Sequence, residues 1–179
     1  LLGFQTEDDL LRFRDYVVRQ AGGSVQGDEY TAFGRTLVAK AYPIGIDTRD
    51  LARQAASAPV QRECSKMRST LNDRTQIIGV DRLDYTKGLP QRFQSMLRLL
   101  EDYPDTQGKV ELLQIAPTSR GELEEYGAIR KELETLAGHI NGRFAQLDWT
   151  PIRYINRAVH RRALTALYRS SRIGLVTPM

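Results

Sequence analysis

The chain has 179 residues, enough for one domain or for one domain and part of another. Its hydrophobic share of 41% and charged share of 27% are those of a soluble globular protein, and no apolar run or basic-then-apolar leader points to a membrane span or a signal peptide. A net charge of +4 with both signs interspersed suits a small anionic substrate at least as well as nucleic acid, and the single cysteine, Cys64, excludes an internal disulfide framework and fits a reducing cytoplasm.

Residues 1–5 read as a buried strand, and an opening on Leu1 and Leu2 looks like a strand cut open. Thr6 is a good N-cap for a helix with Glu7, Asp8 and Asp9 in its first turn, where acids complement the dipole. Leu10, Leu11, Phe13, Val17 and Val18 give that helix an apolar face, and Gly22 and Gly23 stop it. Residues 29–33 and 36–42 read as two strands joined at Gly34–Arg35. Pro43 and Gly45 break the second of them. An alanine-rich helical region, 51–58, is interrupted by Pro59, and a second, charged helical stretch, 61–71, carries Cys64 as a bystander. Asn72–Asp73 signals a turn. A domain boundary close to it divides the chain into 1–73 and 74–179.

From Thr75 the pattern alternates strand and helix, which implies an α/β fold with a right-handed parallel sheet. Residues 75–80 and 109–116 read as strands. Residues 122–136 read as a helix ended by Gly138, with Asn141–Gly142 as a further turn. Residues 148–155 are strand-like but interrupted by Pro151; 161–170 read as a helix and 173–176 as a last strand.

The loop after residue 80 carries Arg82, Asp84, Lys87 and Gly88. It precedes a helix with Pro90 in its first turn and Leu89, Phe93, Met96, Leu97 and Leu100 at helical spacing. In a parallel sheet such a loop lies at the carboxyl end of a strand, where ligands bind. A helix start adds free N–H groups and a positive dipole end. Two readings fit. The cations hold a phosphate, or Arg82 pairs with Asp84 and locks the loop. Elsewhere, His139 and His160 lack a second ligand at metal spacing, so no metal site is expected. Trp149 reads as packing, and the cluster Arg157, His160, Arg161 and Arg162 as a charged helix face without interleaved aromatics.

The stretch GVDRLDYTKGLPQRF, 79–93, closely resembles the signature of the trehalose-6-phosphate synthases, retaining glycosyltransferases of the GT-B fold. LLQIAPTSRGELEEY (112–126), GRFAQLDWTPIRYINR (142–157), IGLVTPM (173–179), LLGFQT (1–6) and YPIGID (42–47) are similar to that family too, in order and across the chain. The resemblance implies an internal fragment: residues 1–73 as the trailing part of an N-terminal Rossmann-like domain and the interdomain connection, and 74–179 as a nucleotide-sugar-binding Rossmann-like domain cut at its C-terminus. It implies glucosyl transfer from UDP-glucose to glucose 6-phosphate, giving α,α-trehalose 6-phosphate and UDP with retention. Arg82 and Lys87 match positions on the donor pyrophosphate, Arg120 one on the acceptor phosphate, and Val159 one at the uracil end through its backbone. No cofactor or metal is implied. The partners would be the two substrates, with neither nucleic acid nor membrane, in the cytoplasm, and with a homo-oligomer compatible.

Two other readings are a related retaining enzyme with another acceptor or donor, such as a glucosylglycerol-phosphate synthase, and a UDP-binding fragment without turnover. The chain alone is expected to be inactive, with Leu10, Phe13 and Val17 left without packing partners.

Overall fold

Four parallel strands organise the larger part of the molecule, which a computed structural model describes for residues 1–118 and 124–177. The chain divides into two compact units, Leu1–Thr48 and Arg49–Met179.

In the first unit, β1 (Leu2–Phe4) runs parallel to β4 (Arg35–Ala41), and β2 (Ser24–Gln26) and β3 (Glu29–Ala32) complete an antiparallel meander in the order β1-β4-β3-β2. Helix α1 (Glu7–Arg19) starts as expected, with the Thr6 hydroxyl accepting from the Asp9 N–H at 3.1 Å. Leu10, Phe13 and Val17 do have partners, contrary to expectation. Val17 is buried with Tyr30 and Ala39, and the Phe13 ring lies 5.1 Å from Phe4 and 5.4 Å from Tyr30. The apolar stripe is narrower than the sequence suggested, since Leu11 and Val18 stay exposed.

The hairpin also differs in its turn. Ala32 pairs with Arg35, so the two central residues are Phe33 and Gly34, with φ of 53° and 70°. Two consecutive positive φ values make the primed turn that matches strand twist, and Gly34 supplies one at no steric cost. Strand β2, unanticipated, joins β3 through Gly27–Asp28.

In the second unit, α2 (Thr48–Ala56) and α3 (Ala58–Leu71) precede β5 (Thr75–Val80). Pro59 sits in the first turn of α3, so it starts that helix as well as ending the preceding one. Asn72 and Asp73 are both left-handed and form the expected turn. There follow α4 (Leu89–Asp102), β6 (Val110–Ile115), α5 (Glu124–Phe144), β7 (Ile152–Ile155), α6 (Arg161–Ser170) and β8 (Ile173–Gly174). The four strands of its sheet pair in parallel, in the order β7-β6-β5-β8. Counted within this unit the order is 3-2-1-4, that of a doubly wound sheet. The chain runs outward from β5 through β6 to β7, then crosses back to place β8 on the other side.

The two faces follow from strand alternation. Leu112 of β6 joins Phe93, Met96 and Leu100 of α4 and Leu133, Ala137 and Ile140 of α5 in the main core. Leu113 and Ile115 face the opposite way, with Ile78, Leu164 and Leu167. Helices α2 and α3 lean on α6. Cys64 and Val60 bury against Ala166, Arg162 pairs with Glu63 at 2.8 Å, and Arg161 pairs with Asp50 at 3.2 Å. The compact unit that begins at Arg49 thus takes in α2 and α3 as well as the parallel sheet. Trp149 is buried and donates to the Val110 carbonyl at 3.1 Å.

Helix α5 corrects the sequence reading. It runs through Gly138 and Gly142 to Phe144. The stripe of Ile129, Leu133, Ala137 and Ile140 continues past Gly138, and its burial outweighs the roughly 1 kcal/mol that a helical glycine costs. The expected start at Glu122 lies outside the described residues. No helix among the described residues is long and apolar enough to cross a membrane.

Candidate functional site at the switch point

The strand order reverses between β5 and β8, which diverge in connection direction there. Crevices at such points, beyond the carboxyl ends of strands, are where open α/β sheets bind ligands. The loop carrying Arg82 and Lys87 leaves β5 at this edge. It stays on the sheet because the Asp81 N–H donates to the Ile115 carbonyl and the Leu83 N–H to the Pro117 carbonyl, each at 3.1 Å. Leu83 is fully buried and anchors the loop from below.

Asp84 shapes the rest. Its Oδ1 accepts from the Thr86 N–H at 3.0 Å and the Thr86 hydroxyl at 2.9 Å, capping a single 3-10 turn, Tyr85–Lys87. Its Oδ2 accepts from Arg82 Nη2 at 3.1 Å. These bonds, those from Thr86 first, hold its carboxyl below the ordinary carboxylate value against partial desolvation. Arg82 stays 53% exposed, so the pairing orients the guanidinium without removing it from solvent. Lys87 is half-buried, and no hydrogen bond or ion pair to its ammonium occurs among the described residues. Gly88, left-handed at φ 58°, turns the chain into α4, whose first turn has no side-chain cap. Two cations and an open helix start thus share one loop, an arrangement suited to a phosphate.

The other expected residues fall differently. Arg120 lies outside the described residues. Val159 is half-buried against Ile78, Leu113 and Ile115 just before α6. His160 caps α6, its Nδ1 accepting from the Arg162 N–H at 3.3 Å. No group of three His, Cys, Asp or Glu residues among those described is placed to hold a metal ion.

The sequence reading missed a buried network under this loop. Arg92 of α4 is 1% exposed. Its Nη1 donates to Asp81 Oδ2 at 2.8 Å and to Gln114 Oε1 at 2.7 Å. Its Nε and Nη2 donate to the Thr177 hydroxyl oxygen at 3.3 and 2.9 Å. The signal was present: Arg92 lies on the apolar stripe of α4, three residues from Leu89 and beside Phe93. Room for the guanidinium comes from Gly79, the register partner of Gln114, where a Cβ would sit 2.2 Å from Arg92 Nη1.

Comparison with known proteins agrees with this geometry. Residues 1–179 match the model of glycosyltransferase family 20. The chain is 47% identical over 180 residues to a trehalose-6-phosphate synthase from Cronobacter sakazakii, covering 100% of this chain and 38% of that protein. It is similar, at TM-score 0.87 and 47% identity, to a UDP-forming α,α-trehalose-phosphate synthase from Burkholderia xenovorans solved with glucose-6-phosphate, covering 99% of this chain and 39% of that one. A structure from E. coli bound with UDP-2-fluoro glucose matches at TM-score 0.86 and 43% identity, again over 99% and 39%. The α/β fold with its parallel sheet is that of these GT-B enzymes, of which the chain spans less than half the length. On this ground the chain belongs to glycosyltransferase family 20.

Proposed function

We propose that the full-length protein transfers glucose from UDP-glucose to glucose 6-phosphate, with retention, giving α,α-trehalose 6-phosphate and UDP, and that this chain supplies the diphosphate end of its donor site. The observation that carries the reading is the β5–α4 loop at the switch point, with Arg82 held by Asp84 and Lys87 presenting an ammonium that is unengaged among the described residues. As the bond from the sugar C1 to UDP breaks, negative charge grows on the diphosphate. Arg82, oriented by Asp84, and Lys87, whose backbone the loop holds, stabilise that charge with little reorganisation at the moment of reaction. The acceptor hydroxyl forms the new bond to C1 from the face that UDP leaves, and its proton passes to the departing phosphate oxygen. Arg120 binds the acceptor phosphate, turning remote binding energy into orientation. The Val159 backbone meets the uracil.

Residues 1–73 are assigned to the trailing part of an N-terminal domain and the interdomain connection, and 74–179 to the nucleotide-sugar domain. The protein acts in the cytoplasm on small molecules; Arg161 and Arg162, paired with Asp50 and Glu63, make a poor nucleic-acid surface. A homo-oligomer is compatible with this reading. The test is UDP release by the full-length protein. Release that depends on glucose 6-phosphate supports the proposal, and release that responds only to another phosphorylated acceptor contradicts the acceptor assignment.

A further inference from the structure

We propose that Arg92 and Thr177 are positioning residues for Lys87, acting through its backbone; this rests on the reading of the β5–α4 loop as the diphosphate site. A threonine hydroxyl offers two acceptor sites and one proton. Both acceptor sites of Thr177 face Arg92, whose Nε and Nη2 approach at 3.3 and 2.9 Å. The single proton is thereby directed to the Lys87 carbonyl, 2.9 Å away, with the Gly88 carbonyl further off at 3.4 Å. The other end of the guanidinium is fixed as firmly. Asp81 and Gln114 share Nη1, and Gln114 Nε2 donates to the Ile115 carbonyl at 3.1 Å, which sets its Oε1 toward Arg92.

The chain of contacts joins the ends of β5 and β6, the first turns of α4, and the segment after β8. It terminates on the backbone carbonyl of Lys87, whose ammonium makes no hydrogen bond or ion pair among the described residues. A guanidinium buried at 0% side-chain exposure keeps one geometry, since any departure leaves a desolvated charge unpaired. A lysine could not span the same partners, because the fork is what reaches Asp81, Gln114 and Thr177 together. The backbone of Lys87 is accordingly preset before ligand arrives, and its side chain starts from a fixed point.

The experiment is calorimetric titration of the full-length protein with UDP and with glucose 6-phosphate. Thr177→Val keeps the shape and removes the hydroxyl. Loss of one positioning hydrogen bond predicts UDP affinity weaker by about tenfold, with glucose 6-phosphate affinity unchanged. Thr177→Ser, which keeps the hydroxyl, is expected within about twofold of wild type on the same reasoning. Arg92→Lys tests the fork independently and is expected to lose UDP affinity to a similar degree, so the proposal stays open to refutation if Thr177→Val does not fold. A purely structural role predicts lower melting temperature with unchanged UDP affinity per folded molecule, and that result overturns the proposal. Wild-type protein that does not bind UDP overturns the functional reading and this inference together. Wild-type binding that Arg82→Ala weakens and neither Thr177→Val nor Arg92→Lys affects overturns this inference alone.

Discussion

Asn141 of α5 and Ile152 of β7 exchange two hydrogen bonds: Asn141 Nδ2 donates to the Ile152 carbonyl at 2.9 Å, and the Ile152 N–H donates to Asn141 Oδ1 at 3.0 Å. The Leu112 N–H takes the Pro151 carbonyl at 2.8 Å, so the polar groups of Ile152 point away from β6, toward the open edge of the sheet. The side-chain amide takes the place of a neighbouring strand, which β7 lacks on that side among the described residues. Asn141→Leu should therefore leave a buried N–H and C=O unpaired and cost about 2–4 kcal/mol, at roughly 1–2 kcal/mol for each group. Urea unfolding measures it, and a cost below about 0.5 kcal/mol, the scale of a neutral surface change, would refute the account.

The donor loop makes a kinetic prediction. In the full-length protein, Arg82→Ala and Lys87→Ala should each lower turnover by about a hundredfold, the usual loss on removing one group that stabilises developing charge. Near-normal turnover in both would leave the Arg82–Asp84 pair as a loop lock and nothing more.

Arg120→Ala separates the two substrates. The apparent affinity for glucose 6-phosphate should fall by about tenfold or more while that for UDP-glucose holds, because a lost charge-assisted bond is felt by the ligand it touched. Equal effects on both substrates would assign Arg120 to structure.

Gly79 is fixed by the buried network. A Cβ there would lie 2.2 Å from Arg92 Nη1 and 2.4 Å from Gln114 Oε1. Gly79→Ala should destabilise by about 2 kcal/mol or more, the scale of overpacking in a filled core. Thermal unfolding gives the value, and a neutral result would mean that the guanidinium has room to move.

Asp84 sets a pH dependence. Its folded-state value lies below the ordinary 3.8, owing first to the Thr86 N–H, then to the Thr86 hydroxyl and to Arg82. A depressed carboxylate contributes stability that is complete above its unfolded value and is lost as pH falls through the folded one. The stability difference between wild type and Asp84→Asn should therefore be flat from neutral pH down to the region of pH 4 and shrink below 3.8. A difference that grows on acidification would show that the carboxylate is not held by these bonds.

By itself the sequence determined the elements whose causes are local. The Thr6 cap, the Asn72–Asp73 turn, the alternation from Thr75 onward and the cations on the loop before Pro90 all depend on residues within a few positions of one another. Periodicity and turn chemistry carry that information, and the resemblance added the family. Tertiary structure decided what depends on distant segments meeting. Whether Gly138 ends a helix or rides through it depended on a stripe that buries against α4 and the sheet. Whether Asn141 makes a turn or pairs a strand edge depended on where β7 lies. Arg92 is the clearest case. A charged residue on an apolar stripe is buried only if its partners arrive from elsewhere, and here they come from positions 81, 114 and 177. A window along the chain sees none of those meetings, because the desolvation of a guanidinium is offset by groups that only the sheet order 3-2-1-4 brings together.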